Sequence, residues 1–449
     1  MRSVWCRGVA AAGAAAAVLT GVPAAPGAAA LPARSAGPAV EVEIPGPEHG
    51  DAAGSGRTRV PRDGRDRPSP SLSAAEEAAD GTVTGLLDNG PTGDRLDIVV
   101  VGDGYTAAEL DRFRVDARRM WAGLSSVEPY TTYQGLFNVW TVDAVSNQSG
   151  VSGDPGPDAV RDTALGSYFW CDDIERLLCV DQDRVDGYVA KAPEADLVVV
   201  LANSAKYGGA GYNEPSETLG YEGISTASAG NEQSGRVAIH ETGHSLGKLA
   251  DEYFYPDHPG FEEYTGPEVP DPNLSVLTVW DMAGRRAKWH RWLGEQSPDG
   301  GTVGTYEGGG YFVSGLHRPT DDSLMRSLGK PFNLPGVEAM IAGFHRHARL
   351  VTAVTPTRRP LRLRDTARVS VPGLTGTGER PLRVRWFLDG RELKPLSGRT
   401  RVRVSALIPW LLDLRTHELS VTVEHSTAAV RDPDVAKTLR STVAWKVRL

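Results

Sequence analysis

Residues 96–104 read Leu-Asp-Ile-Val-Val-Val-Gly-Asp-Gly, an apolar block closed by a glycine turn, and predict a buried strand. Residues 106–122 then carry apolar positions at helical spacing. Thr106 stands as the cap, Glu109 follows three residues on, and Gly123 is the expected stop. A second apolar strand over 196–202 runs into the polar, glycine-rich stretch 203–211. Strand, helix and strand with long loops between them predict an α/β or α+β catalytic domain over 91–354. Beyond Pro356 the pattern changes to short alternating runs at 361–371, 382–388, 400–407, 417–424 and 442–448, with turn signals such as Asp389-Gly390. Five such runs in one short region predict an immunoglobulin-like β-sandwich over 355–449.

The chain opens differently. Arg2 and Arg7 precede an Ala, Val, Leu and Gly run at 8–22, and Gly27, Ala28, Ala29 and Ala30 supply small residues for a signal peptidase. Pro23 and Pro26 interrupt that run too early for an anchor helix. Residues 1–30 are therefore expected to be a signal peptide cut after Ala30, and the protein to be secreted. Residues 31–80 hold 13 Pro plus Gly and no aromatic residue, so 31–90 is read as a flexible lead-in or pro-segment. Of the three cysteines, Cys6 leaves with the signal. Cys171 and Cys179, eight apart around a helix-like 172–178, are expected to form a small disulfide; two reduced core thiols are the alternative.

Composition narrows the function. An apolar share of 40% excludes wholesale disorder, and a net charge of −9 argues against nucleic acid as a partner. After the signal no stretch reaches membrane-span length. The charge is uneven: residues 91–354 carry 21 basic and 38 acidic side chains, residues 355–449 carry 19 and 9. The basic module is suited to docking on an anionic cell-surface polymer. Arginines guarding exposed sheet edges explain the same pattern.

The chemistry concentrates in one stretch, HETGHSLGKLADEY, from His240 to Tyr253. On a helix His240 and His244 project from one face, so both imidazoles can meet one metal ion. Glu241 stands where a carboxylate can take a proton from an activated water. Continued as helix, Asp251 would lie about 10 Å along the axis from His244. The helix must stop, and Gly247 is the expected left-handed stop. Asp251 is then the candidate third ligand, with Glu252 or a distant acid or histidine as alternatives. Met325, in Ser323-Leu324-Met325-Arg326, is a Met-turn candidate expected to pack beneath the metal.

His240–Tyr253 resembles the signature of the secreted bacterial metallopeptidase family named after an immunoglobulin A protease. Residues 97–105, 162–178, 201–212 and 307–328 are similar to that family as well. The resemblance implies a metzincin-like fold with one catalytic Zn2+, in which His240, His244 and Asp251 are ligands, Glu241 the general base and Met325 the Met turn. It also implies an edge strand that grips extended substrate through its backbone, and residues 203–212 follow a strand in the right place. Two departures stand out. In the wider metzincin pattern the third ligand comes three residues after the glycine, which here is Ala250. The folded N-terminal β domain of larger members is also not evident in 31–80.

The expected function is hydrolysis of peptide bonds in a protein or peptide substrate. Tyr311, His317 and Arg326 are candidate donors to the oxyanion. His345 and His347 are read as facing solvent or a domain interface. The competing functions are zinc-dependent hydrolysis of non-peptide amides or esters, and surface binding with a structural metal.

Overall fold

The computed structural model describes residues 39–44, 46, 56–63, 70–257, 259–374, 382–411 and 415–448. The expected signal peptide lies outside the described residues.

Eight strands make the main sheet: β1 (Ala39–Ile44), β2 (Gly56–Pro61), β3 (Val83–Leu87), β4 (Leu96–Asp103), β5 (Phe137–Val142), β6 (Leu197–Ala202), β7 (Gly209–Tyr212) and β8 (Ile224–Ser228). Their order across the sheet is β2-β1-β7-β8-β6-β4-β5-β3. The central strands β8, β6, β4 and β5 run parallel, and the flanking strands pair antiparallel. The unbroken apolar runs of β4 and β6 follow from burial on both faces. Ile98, Val100, Val199 and Leu201 pack into the core on one face, and Val99, Val101, Val198 and Val200 into the core on the other.

On the first face lie the helices Leu110–Leu124, Ser234–Gly247 and Leu334–His347. Thr106 and Glu109 form the expected capping box, over a short 3-10 turn that leads into the first of these helices. That helix runs through Gly123 to Leu124. The disulfide joins Cys171 and Cys179, but the segment between them is not helical. Asp172 and Asp173 take positive φ values of 52° and 58°, and isolated bridges replace helical bonds. Geometry forces this. Residues eight apart in an α-helix are about 12 Å apart along the axis, whereas the two cysteine Cα atoms stand at 5.9 Å.

The expectation of a flexible lead-in over 31–90 needs correction. Within it β1 and β2 pair as a hairpin, β3 closes the opposite edge of the sheet, and 74–79 form a short capped helix. The cause is legible in hindsight. Val40, Val42 and Ile44 alternate with Glu41 and Glu43, and Val42, Ile44 and Val60 are buried in the second core. Proline and glycine on either side masked this short alternation.

A hairpin of β9 (Tyr306–Gly309) and β10 (Phe312–Arg318) stands beside the main sheet. The C-terminal part has two antiparallel sheets. One joins β11 (Thr352–Ala353), β12 (Thr366–Ser370) and β15 (Arg401–Arg403). The other runs β14-β13-β16-β17 and uses β13 (Arg383–Leu388), β14 (Arg391–Glu392), β16 (His417–Glu424) and β17 (Arg440–Val447). Of the expected strand at 400–407 only 401–403 is extended, and Val404–Trp410 coil into a 3-10 helix. Trp386 and Trp445 stack 5.9 Å apart inside this part. The expected boundary at 354/355 does not separate two cores. Tyr133, Phe344, Leu361, Trp386 and Trp445 belong to one continuous apolar cluster. Among the described residues no helix is long and apolar enough to cross a membrane.

Candidate metal centre

The helix Ser234–Gly247 enters the core through Val237, Ala238, Ile239 and Leu246, all buried. One turn apart on the same face, His240 and His244 direct their Nε2 atoms at each other across 3.1 Å. Their remaining ring nitrogens fix the tautomer. His240 Nδ1 lies 3.2 Å from the carbonyl oxygen of Leu324, and His244 Nδ1 lies 2.6 Å from that of Leu249. A carbonyl only accepts, so each Nδ1 carries a proton and each Nε2 is the nitrogen that can offer a lone pair to a metal. Two Nε2 atoms at that separation call for a positive charge between them, a metal ion or a proton.

Asp251 Oδ1 completes the set, 3.1 Å from His240 Nε2 and 3.5 Å from His244 Nε2. The three ligand atoms lie within 4.8 Å of one another. No hydrogen-bond donor among the described residues serves this oxygen, although it is buried. Such a donor set fits a divalent cation. Burial opposes the charge on Asp251, yet the neighbouring His244 draws its pKa well below the ordinary carboxylate value. Burial likewise opposes the charge on His244, but the Glu43 and Asp251 carboxylates outweigh it and push its pKa up to about 10.

The chain turns back to bring Asp251 in, though not through a left-handed glycine. Gly247 is the last helical residue, and Lys248 takes the left-handed conformation at φ 52°. Gly247 is required for space instead. A Cβ there would lie 2.8 Å from Met340 Sδ and 3.0 Å from Leu249 Cγ. This one-residue displacement of the turn accommodates a ligand at 251 instead of 250. Asn273 then clamps the loop, accepting from the Ala250 amide at 2.8 Å and donating to the Ala250 carbonyl at 2.8 Å. Glu252 points away from the histidines. It accepts from Asn273 at 3.0 Å, Ser323 at 2.7 Å and Asn333 at 2.8 Å, and burial pushes its pKa up to about 7.

Glu241 is fully buried, and neither carboxylate oxygen has a hydrogen-bond partner among the described residues. Burial raises its pKa, against the pull of His240 and His244. Gly211 of β7 lies against it, and a Cβ at that position would overlap Glu241 Oε2.

Met325 is buried, its sulfur packed beside Gly243 of the histidine helix. Its backbone oxygen accepts from the Glu252 amide at 2.8 Å. Of the three oxyanion candidates only Tyr311 reaches the centre, its hydroxyl 2.8 Å from Asp251 Oδ2 and 3.0 Å from Glu43 Oε1. His317 is held on β10 beside the Ser275 carbonyl at 3.4 Å, and Arg326 pairs with Asp321 at 3.3 Å. Neither joins the cluster. His345 is half-buried with both ring nitrogens out of solvent, and His347 pairs with Asp196 at 2.8 Å and Glu222 at 2.9 Å.

Glu43, from β1, was not foreseen. Its Oε1 stands 3.4 Å from His244 Nε2, and its Oε2 accepts from Asn213 at 3.0 Å. With Glu241 and His244 it forms a second set of converging ligand atoms. Burial and the adjacent Asp251 carboxylate raise its pKa well above the usual range. The alternation at 40–44 was the available signal for the strand; nothing local marked Asn273 or Gly211.

No curated protein matches the chain. Residues 84–299, which include His240 through Asp251, match the family model described as IgA Peptidase M64. With a candidate metal-ligand cluster inside the matched segment, residues 84–299 are similar to the IgA peptidase M64 family of metallopeptidases.

Proposed function

We infer that the protein is a secreted, zinc-dependent endopeptidase with His240, His244 and Asp251 as ligands and Glu241 as general base. The observation that carries this reading is the pair of imidazole lone pairs converging beside Asp251, with the donor-free Glu241 carboxylate next to them. A zinc ion there supplies Lewis acidity toward a carbonyl and lowers the pKa of a water it holds. The protein does the rest. The Leu324 and Leu249 carbonyls hold the imidazoles in the ligating tautomer. Glu241 takes the proton as water attacks the scissile carbonyl and delivers it to the leaving amine. Its raised pKa suits both steps. The Tyr311 hydroxyl is the oxyanion donor.

The edge of β7 beside Glu241, paired with β1 in this structure, would offer backbone groups to an extended peptide in its place, which favours protein substrates over small amides or esters. A structural metal would need no free carboxylate beside it, which weighs against the surface-binding reading. The Cys171–Cys179 disulfide and the signal-like N-terminus support export. Metzincin-like and immunoglobulin-like describe our proposals for the two parts of the fold. A role for the basic C-terminal part on an anionic polymer rests on charge alone.

Metal analysis combined with casein hydrolysis tests this function. Chelation should abolish hydrolysis and zinc should restore it. Glu241→Gln should keep the metal and lose about 10²–10⁴-fold in rate. A Gln variant with full activity, or a chain that holds no divalent metal, would overturn the assignment.

A further inference from the structure

β7 is short, and its outer edge lies directly over Glu241 through Gly211. An extended peptide adding to that edge would present its backbone to the reactive carboxylate. In this structure the edge is already taken. β1 pairs with it antiparallel, with Glu43 opposite Gly211. The Glu43 side chain turns into the centre, 3.4 Å from His244 Nε2. It also engages the Tyr311 hydroxyl at 3.0 Å, the group needed by a developing oxyanion. A carboxylate in this position offers no scissile bond, so the occupant blocks the site without being consumed.

Its attachments suit a strand that can leave. The hairpin is held to the body by Arg62 on Asp183 at 3.0 Å and Asp186 at 3.3 Å, the Gln182 amide on the Arg62 carbonyl at 3.0 Å, Thr58 on Asp172, Asn213 on Glu43 at 3.0 Å and Tyr207 on the Gly46 carbonyl at 2.6 Å, together with a few valine and isoleucine side chains. It also lies in the proline- and glycine-rich stretch without aromatic residues.

We propose that β1 is a built-in occupant of the substrate groove and that the Glu43 carboxylate takes the open position beside His240, His244 and Asp251. The full chain is then latent until β1 leaves β7. This rests on the metallopeptidase reading and adds its regulation.

The test uses the full chain carrying cobalt(II) in place of zinc, with acetohydroxamate as a probe of the open position, read by visible absorption. Glu43→Gln should keep the metal, bind acetohydroxamate about tenfold more tightly or better, and cleave casein correspondingly faster, since the competent fraction sets the apparent affinity. Arg59→Gln, on the exposed face of β2, should change neither. Should Glu43→Gln fold poorly, Glu43→Asp, with a shorter reach, should shift the affinity in the same direction by less. Loss of metal in Glu43→Gln, or unchanged or weaker hydroxamate binding, would show Glu43 to be a permanent member of the centre and sink the proposal. Tighter hydroxamate binding without casein cleavage would uphold the latch while removing the peptidase reading. A wild type already as active and as open to hydroxamate as Glu43→Gln would do the reverse.

Discussion

The Glu241 carboxylate, our proposed base, has a neighbour with no side chain. Gly211 leaves the space that Glu241 Oε2 occupies, so Gly211→Ala should displace Glu241 while leaving the three proposed ligands in place. A shift of about 1 Å costs on the order of 10²-fold in rate. The expected outcome is that loss in casein turnover at unchanged metal content; a loss of metal instead would mean that the whole helix had moved. Asp251→Ala should act in the opposite manner, releasing the metal on dialysis. At this scale the convergence of His240 and His244 was legible, because side chains one helix turn apart share a face, and Asp251 joins them as expected. Glu43 was not legible. It reaches the same point from 170 residues before Asn213, its partner there, and no local pattern records such a meeting.

Between residue and fold, the loop that follows the histidine helix decides whether Asp251 arrives. Asn273 is fully buried and satisfies both backbone groups of Ala250 as well as one oxygen of Glu252. Asn273→Ala would leave buried polar groups unpaired, at about 1–3 kcal/mol each. It should lower the melting temperature and weaken metal binding by about 10–100-fold, the usual effect of removing a group that orients a ligand. Titration of the apo-protein with zinc checks this; an unchanged affinity would deny Asn273 any positioning role. The strands β4 and β6 and the helix Leu110–Leu124 were readable because burial on two faces and on one face impose different periods. Segments shaped by remote constraints were not. Residues 172–178 have a helical composition but are bent by the cysteine link, and 404–410 leave the strand pattern to coil over the shared core.

Over the whole molecule the catalytic and C-terminal parts stabilise each other. Tyr133 packs on Phe344 at 6.0 Å on its own side of the boundary expected at residue 354, and on His425 at 5.5 Å across it. A fragment ending there would expose this apolar surface, and should melt earlier than the full chain and aggregate. A fragment as stable as the full chain would show the interface to be dispensable. Two histidines near this junction give stability a pH window. Burial pushes the His345 pKa down to about 3, so it stays neutral when folded but binds a proton near pH 6.5 when unfolded. Its contribution is lost as pH falls below about 6.5. Burial also opposes the charge on His347, but Asp196 and Glu222 prevail and push its pKa up to about 9. That contribution is present below about pH 6.5 and is lost as pH rises through about 9. His345→Phe should flatten the acid limb of a melting-temperature profile and His347→Gln the alkaline limb, by at most about 1.4 kcal/mol per pH unit. Equal slopes in variant and wild type would refute either assignment.

The antiparallel meeting of β1 with β7 also orders events in time. Contacts that close so long a loop form late, after local helices and neighbouring strands have collapsed. On refolding the cleft is then expected to form before β1 docks on β7, with a transient uncapped population. Refolding followed by hydroxamate capture should reveal a burst of binding that decays as the hairpin docks.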